Sequence, residues 1–228
     1  ARRQFFREMH TSSLLNHPSL TAFLDYGESD NKLYIARRFI SYGSLLSEEG
    51  RTWFKPPLPV HAALQYIHHL AEALHFIHTH NYVHGALTLT NILVLRNPYL
   101  ELEPDQTPFV IADVGLTHFV RRFGQPQNQL LPITAAPEQF NKQVSAASDQ
   151  YALAVLLYFW LVGQSPFLGS PEEIEHLKRN GSITPLTSLN PNVTPEQETL
   201  ISRALAVSPE DRFASILAFA DAMLATLT

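Results

Sequence analysis

The chain contains no cysteine. That excludes a disulfide scaffold, a thiolate nucleophile and a thiolate metal site. Charge is scarce as well. Asp, Glu, Lys and Arg make up 16% of the 228 residues, against roughly 25% in an average soluble domain. The net charge is −5, so the positive field that grips a phosphate backbone is missing and no nucleic-acid partner is expected. No apolar run reaches the ~18 residues that span a bilayer. The longest, Tyr151 to Gly163, reads as a buried helix. The opening Ala1-Arg2-Arg3-Gln4-Phe5 has neither a signal peptide nor a helix cap. So abrupt a start suggests a segment of a longer parent chain, one that could carry a membrane tether elsewhere. Internal repeats and low-complexity tracts are lacking too. What is present is apolar material, 45% of the chain, enough for a core and too much for disorder. The length allows one large domain or two small lobes.

Residues 2–15 read as a helix ended by Asn16-His17-Pro18, because a residue before proline avoids helical backbone. Leu20 to Tyr26 and Lys32 to Ile40 are β-type runs around the turn residues Gly27 to Asn31, which predicts a hairpin. Proline-rich residues 51–59 read as loop. Over 60–80, Leu64, Ile67, Ala71, Leu74 and His78 recur at helical spacing. Short strands are expected at Asn91–Val94 and Phe109–Ala112. Residues 97–108 and 113–137 read as loops, the second long enough to suggest function. Further helices follow at 148–162, at about 171–179 and 195–206 behind the capping boxes Ser170-Pro171-Glu172-Glu173 and Thr194-Pro195-Glu196-Gln197, and at 214–227.

Four segments concentrate the residues that carry chemistry. The first is His84-Gly85-Ala86-Leu87-Thr88-Leu89-Thr90-Asn91-Ile92-Leu93-Val94. Ile111-Ala112-Asp113-Val114-Gly115-Leu116 and Ala135-Ala136-Pro137-Glu138-Gln139 come next. The last is Ser148-Asp149-Gln150-Tyr151, with Ser208-Pro209-Glu210-Asp211-Arg212-Phe213 well downstream. In this order and spacing they resemble the protein kinase family, bacterial Ser/Thr protein kinases in particular, through its catalytic loop H-R-D-L-K-x-x-N, its D-F-G and its A-P-E. Upstream, Phe6-Arg7-Glu8 through Asn16-His17-Pro18 resembles the family's αC helix and the turn after it. Leu33-Tyr34-Ile35 through Gly43-Ser44-Leu45 resembles its strand β5 and hinge.

The resemblance implies an α+β, mostly helical fold: a protein-kinase-like C-lobe with a truncated N-lobe remnant of αC and two to three strands. Residues 1–40 would be the N-lobe remnant and residues 41–228 the C-lobe. It implies that Asn91 and Asp113 stand where the family holds Mg²⁺, a pair of hard oxygen donors suited to that ion. The other reading of the pair is that both hydrogen-bond the loop backbone. Leu93, Phe39 and Ile40 would line a nucleotide site. Glu8, His84, Glu138, Asp149 and Arg212 are implied as structural. Glu138 and Arg212 would form a buried ion pair, Asp149 would accept from the backbone near His84, and His84 would pack beside Val114.

The departures from the family pattern carry the functional expectation. Ala86 stands at the position of the catalytic aspartate, which accepts the substrate hydroxyl's proton, and a methyl group cannot. Gly85 replaces the preceding arginine, Thr88 the loop lysine, and Leu131 the threonine of the substrate-docking loop. No G-x-G-x-x-G phosphate loop occurs, and no lysine precedes Lys32. Glu8, at the position of the αC glutamate, then has no lysine partner and is expected to be a solvated charge. Arg37 aligns with the gatekeeper behind the adenine pocket. It could partly fill that pocket or reach Glu8 or Asp113, the second being the expectation. His61, His68 and His75, with His69, His78, His80 and His84 nearby, offer a zinc reading, but the usual i, i+4 pair with a close third ligand is missing.

The expected function is therefore a pseudokinase-type protein-binding or regulatory domain without phosphotransfer. It would present the activation-segment surface, residues 113–138, to a protein partner. The alternative is an atypical, ATP-dependent Ser/Thr protein kinase, or a nucleotide-binding fragment of a longer kinase. Mg-ATP is the one cofactor the resemblance allows. A cytoplasmic location is expected, with no membrane segment in this stretch.

Overall fold

A computed structural model describes residues 2–47, 49–50, 52–98, 108–114 and 133–227. The first helix, α1 (Arg2–Ser13), turns Phe5, Met9 and Ser12 inward at helical spacing. It stops two residues short of the expected end. The hairpin also differs from expectation. β1 (Phe23–Ser29) pairs antiparallel with β2 (Lys32–Arg37), and Gly27 lies inside the strand opposite Tyr34. The turn is instead Asp30-Asn31, with φ of 49° and 64°, the left-handed pair a two-residue hairpin loop requires. A Cβ on Gly27 would come within 2.8 Å of the Tyr34 side chain. That glycine serves close cross-strand packing, not a turn.

The larger part of the molecule is helical. α2 (Val60–Thr79) buries Leu64, Ile67, Leu70, Ala71, Leu74 and Ile77 along one face. α3 (Ala146–Val162) is buried nearly all round, including Tyr151, Tyr158 and Trp160. Its middle position follows from a sequence with no polar face. Gly163 ends it at φ 89°, a left-handed cap that favours glycine. α4 (Pro171–Arg179) and α5 (Pro195–Ala204) begin at the expected capping boxes, where the Ser170 and Thr194 hydroxyls accept from the Glu173 and Gln197 amides. α6 (Ile216–Ala225) closes the bundle against α2 and α3. A second two-stranded sheet, β3 (Ile92–Val94) with β4 (Phe109–Ile111), lies beside α2. Phe54, Tyr66, Phe109 and Trp160 form one aromatic cluster with centroids 5.1–6.4 Å apart.

Two links join the hairpin side to the helical side. Ser19 and Thr21 bracket β4: the Ile111 amide donates to the Ser19 carbonyl at 2.8 Å and the Thr21 amide to the Ile111 carbonyl at 3.0 Å. The Leu45 amide donates to the Ile92 carbonyl at 2.8 Å. The segment carrying Asp113 is therefore positioned by both sides at once. The fold is helix-rich α+β with a small N-lobe portion and a large C-lobe.

Candidate functional site

The candidate site is the loop His84–Asn91 and the residues it faces. Asp149, near the start of α3 and 1% exposed, organises it. Its carboxylate accepts from the His84 amide at 2.8 Å, the Gly85 amide at 2.7 Å and His78 Nε2 at 2.8 Å. Three donors compensate a buried carboxylate that would otherwise be strongly destabilising. His84 Nε2 lies 3.0 Å from the Ala112 carbonyl oxygen. Burial lowers the pKa of His84 from its ordinary 6.5, only partly opposed by Asp149, so the ring is held neutral. Val114 is buried.

Gly85 adopts φ 70°, and a Cβ there would lie 2.9 Å from Val144. Both the backbone and the space favour glycine at the position where the family pattern has arginine. Ala86 follows with its methyl group. The Asn91 amide nitrogen donates to the Ala86 carbonyl at 2.9 Å, closing the loop on itself. This is the loop-bracing role, and it leaves the amide oxygen of Asn91 as an acceptor. Thr88 Oγ1 pairs with Thr90 Oγ1 at 2.7 Å.

Asp113 sits at φ 61° with its side chain 46% exposed. Arg37 Nη1 approaches its carboxylate at 3.9 Å and donates to Thr21 Oγ1 at 3.1 Å. The guanidinium lies over the Phe23 ring at 4.4 Å. Burial lowers the Arg37 pKa, and Asp113 offsets part of that. Nε and Nη2 of Arg37 are buried without a partner. The cation therefore turns to Asp113, and no ion pair with Glu8 forms. Glu8 itself corrects the expectation of a solvated charge. Gln4 Nε2 donates to one carboxylate oxygen at 2.7 Å, and the other oxygen is buried without a partner. Helical spacing explains this: Glu8 shares the inward face of α1 with Phe5, Met9 and Ser12.

Of the residues proposed to line a nucleotide site, Ile40 is buried, Leu93 half-buried in β3 and Phe39 86% exposed. One carboxylate and one amide oxygen suit Mg²⁺, which is usually held by one or two carboxylates, with phosphates and waters completing the shell. Among the described residues no group of three His, Cys, Asp or Glu could hold a metal ion. Two histidines of α2 are otherwise engaged. His68 Nε2 meets Asp221 at 3.0 Å, and His78 serves Asp149.

Glu138 and Arg212 form the expected buried pair, with two bonds of 2.9 Å each. Burial alone would raise the Glu138 pKa, but the bonds and charge of Arg212, with the Ser148 hydroxyl, hold it below 4.5. Two further residues reach the loop from the far side of the sequence, and a third holds the segment that carries the first of them. Thr134 Oγ1 donates to the Leu87 carbonyl at 2.6 Å. Gln139 Nε2 donates to the Gly85 carbonyl at 2.9 Å. Lys178 donates to the carbonyls of Ile133 and Ala135, at 2.6 Å each. Sequence reasoning passed over all three. Only the polarity of Gln139 beside an otherwise buried turn hinted at such a role. Leu131 and residues 115–132 lie outside the described residues.

The family model for protein tyrosine and serine/threonine kinases matches residues 1–218, and the chain belongs to that family. It is 28% identical over 218 residues to the serine/threonine-protein kinase PknB of Mycolicibacterium smegmatis, a match covering 92% of this chain and 33% of that protein. It is 29% identical over 235 residues to Pkn1 of Myxococcus xanthus, covering 99% of this chain and 32% of that protein. The chain thus spans about a third of the length of these relatives. Among solved structures it resembles a point mutant of the PknI kinase domain of Mycobacterium tuberculosis, with TM-score 0.72 and 27% identity over 100% of this chain and 78% of that one.

Proposed function

We propose that this chain is a pseudokinase-type protein-binding or regulatory domain without phosphotransfer. Residues 1–40 serve as its N-lobe portion and residues 41–228 as its C-lobe. The observation that carries the reading is Ala86. The loop around it is braced throughout, with Asp149, His84, Asn91, Thr134 and Gln139 all engaged. Yet the side chain at its centre has no group that can accept a proton. What the fold braces on this face, among the described residues, is Asp113, residues 133–138 and the helices behind them, and a protein partner is the ligand this reading gives it. A cytoplasmic location goes with this reading. No described helix is long and apolar enough to cross a membrane.

A second reading is an atypical Ser/Thr protein kinase, or the nucleotide-binding part of a longer one. The names of the relatives favour it, and so does the Asn91–Asp113 pair, whose oxygens suit Mg²⁺ bound to nucleotide phosphates. Two measurements separate the readings. Labelled phosphate from Mg-ATP should not enter the chain or a generic protein acceptor above the level of an Asp113→Ala variant. Thermal melting with and without Mg-ATP reports nucleotide binding apart from catalysis. A ligand at 100 times its Kd adds about 2.7 kcal/mol, so a clear upward shift supports the second reading's nucleotide site.

A further inference from the structure

Lys178 is one of four lysines in the chain. It lies on the last turn of α4 with 1% of its surface exposed. Its amine donates to the main-chain carbonyls of Ile133 and Ala135, at 2.6 Å each. The rest of its surroundings are aromatic, with the Phe167 ring centroid at 5.2 Å and that of Tyr151 at 5.7 Å. Among the described residues no carboxylate reaches it. On α4 itself, Glu173 caps the helix start, Glu175 is paired with Arg179, and His176 meets Asn180. From α3 the facing titratable group is Tyr151, whose ring also carries Arg212 at 4.9 Å, and Arg212 is neutralised by Glu138. Residues 133–136 contribute backbone and uncharged side chains.

The two protonation states differ in charge compensation: among the described residues no carboxylate offsets a buried ammonium ion. A neutral amine has two N–H groups, and two carbonyls receive them. An ammonium ion has a third N–H and a full charge, which only the aromatic faces meet. Desolvation brings the Lys178 pKa down to about 7, so proton uptake near neutrality is an accessible event. The segment held is the described end of the activation segment, flanked by the Thr134 bond to the Leu87 carbonyl and by the Glu138–Arg212 anchor.

We propose that Lys178 is a proton-controlled latch: as the neutral amine it fastens residues 133–135 to α4, and on taking up a proton it leaves for solvent and frees them. The consequence for partner binding rests on the reading of this surface as the binding face. The latch itself does not.

Carbon-13 NMR of the lysine Cε groups on the whole chain tests it, with four signals and Lys178 assigned by its loss in Lys178→Met. The Lys178 signal should titrate near pH 7, and the other three near the ordinary ~10.4. Proton linkage requires protection of the Thr134, Ala135 and Ala136 amides against hydrogen exchange to rise about tenfold per pH unit from pH 7 to 9 and to be level below 7. A local opening leaves this protection insensitive to low urea. In Lys178→Met it should be level throughout. A Cε midpoint above 9 overturns the latch, as does protection level from pH 7 to 9. So does protection that follows urea as the α5 amides do, which would mean that Lys178 is released only by global unfolding. If Lys178→Met does not fold, sequential assignment of the unsubstituted chain supplies the same readouts. None of them involves partner or nucleotide, so their failure leaves the binding-domain reading standing.

Discussion

Glu138 and Arg212 are 74 residues apart and exchange two charge-assisted bonds at 2.9 Å in a nearly dry setting. Arg212 also donates to the carbonyls of Ala147, Ala206 and Val207. Removing one partner strands the other. Arg212→Met should lower stability by about 3–5 kcal/mol in urea unfolding; a loss under 1 kcal/mol would mean the pair is solvated. Gly85 gives a second residue-scale expectation. Its left-handed backbone and the nearness of Val144 should make Gly85→Ala destabilising by about 1–2 kcal/mol, and a neutral result would show that the loop relaxes. Legibility at this scale divided sharply. The roles of His84, Asp149, Glu138 and Arg212 were legible only through the resemblance of their motifs to the kinase family. Lys178 was not, because a lysine beside Arg179 on an amphipathic helix reads as surface. Its burial depends on carbonyls more than 40 residues upstream. Glu8 was misread because its exposure was inferred from a missing partner instead of from its place on α1.

Among the elements, packing outweighs capping. Thr194 accepts from the Gln197 amide at 3.2 Å, while Gln197 reaches back to the Thr194 amide at 3.0 Å. Thr194→Ala should cost about 1 kcal/mol. Leu153 at the centre of α3 is completely buried, and Leu153→Ala should cost about 2–5 kcal/mol. Chemical denaturation of the two variants orders the effects; a larger loss from the cap would contradict this balance. The starts of α4 and α5 were legible because capping boxes are local signals, whereas α3 begins two residues before and α6 two residues after the expected positions. The hairpin was legible as well, but its strand ends were not, because the run Gly27 to Asn31 holds more than one residue pair able to turn. Asp30-Asn31 won the turn by tolerating left-handed backbone, while Gly27 was used to let Tyr34 lie close.

For the whole molecule, the buried titratable groups set an unusual pH profile. His84 and Lys178 both have folded pKa values below their ordinary ones, so the unfolded chain binds more protons than the native one. Stability therefore rises with pH, first through about 6.5 on account of His84 and then from about 7 toward 10.5 on account of Lys178. The second slope approaches about 1.4 kcal/mol per pH unit. Glu138, held low by Arg212, adds stability that is lost as pH falls below 4.5. Burial raises the pKa of Tyr151 and Tyr158, so stability turns down above about 10. Urea midpoints across pH 5–10 should climb to a maximum on the alkaline side, and Lys178→Met should flatten the climb above 7. A maximum near pH 6 would contradict the burial of Lys178.

The central claim is that a kinase-family scaffold has kept its shape without a proton acceptor at position 86. Its most direct test is the steady-state rate of phosphate transfer from Mg-ATP to protein acceptors, measured for this chain beside Asp113→Ala. Kinases turn over at roughly 1–100 per second. The account predicts the same background rate for both proteins, and an enzymatic rate that disappears in Asp113→Ala would contradict it.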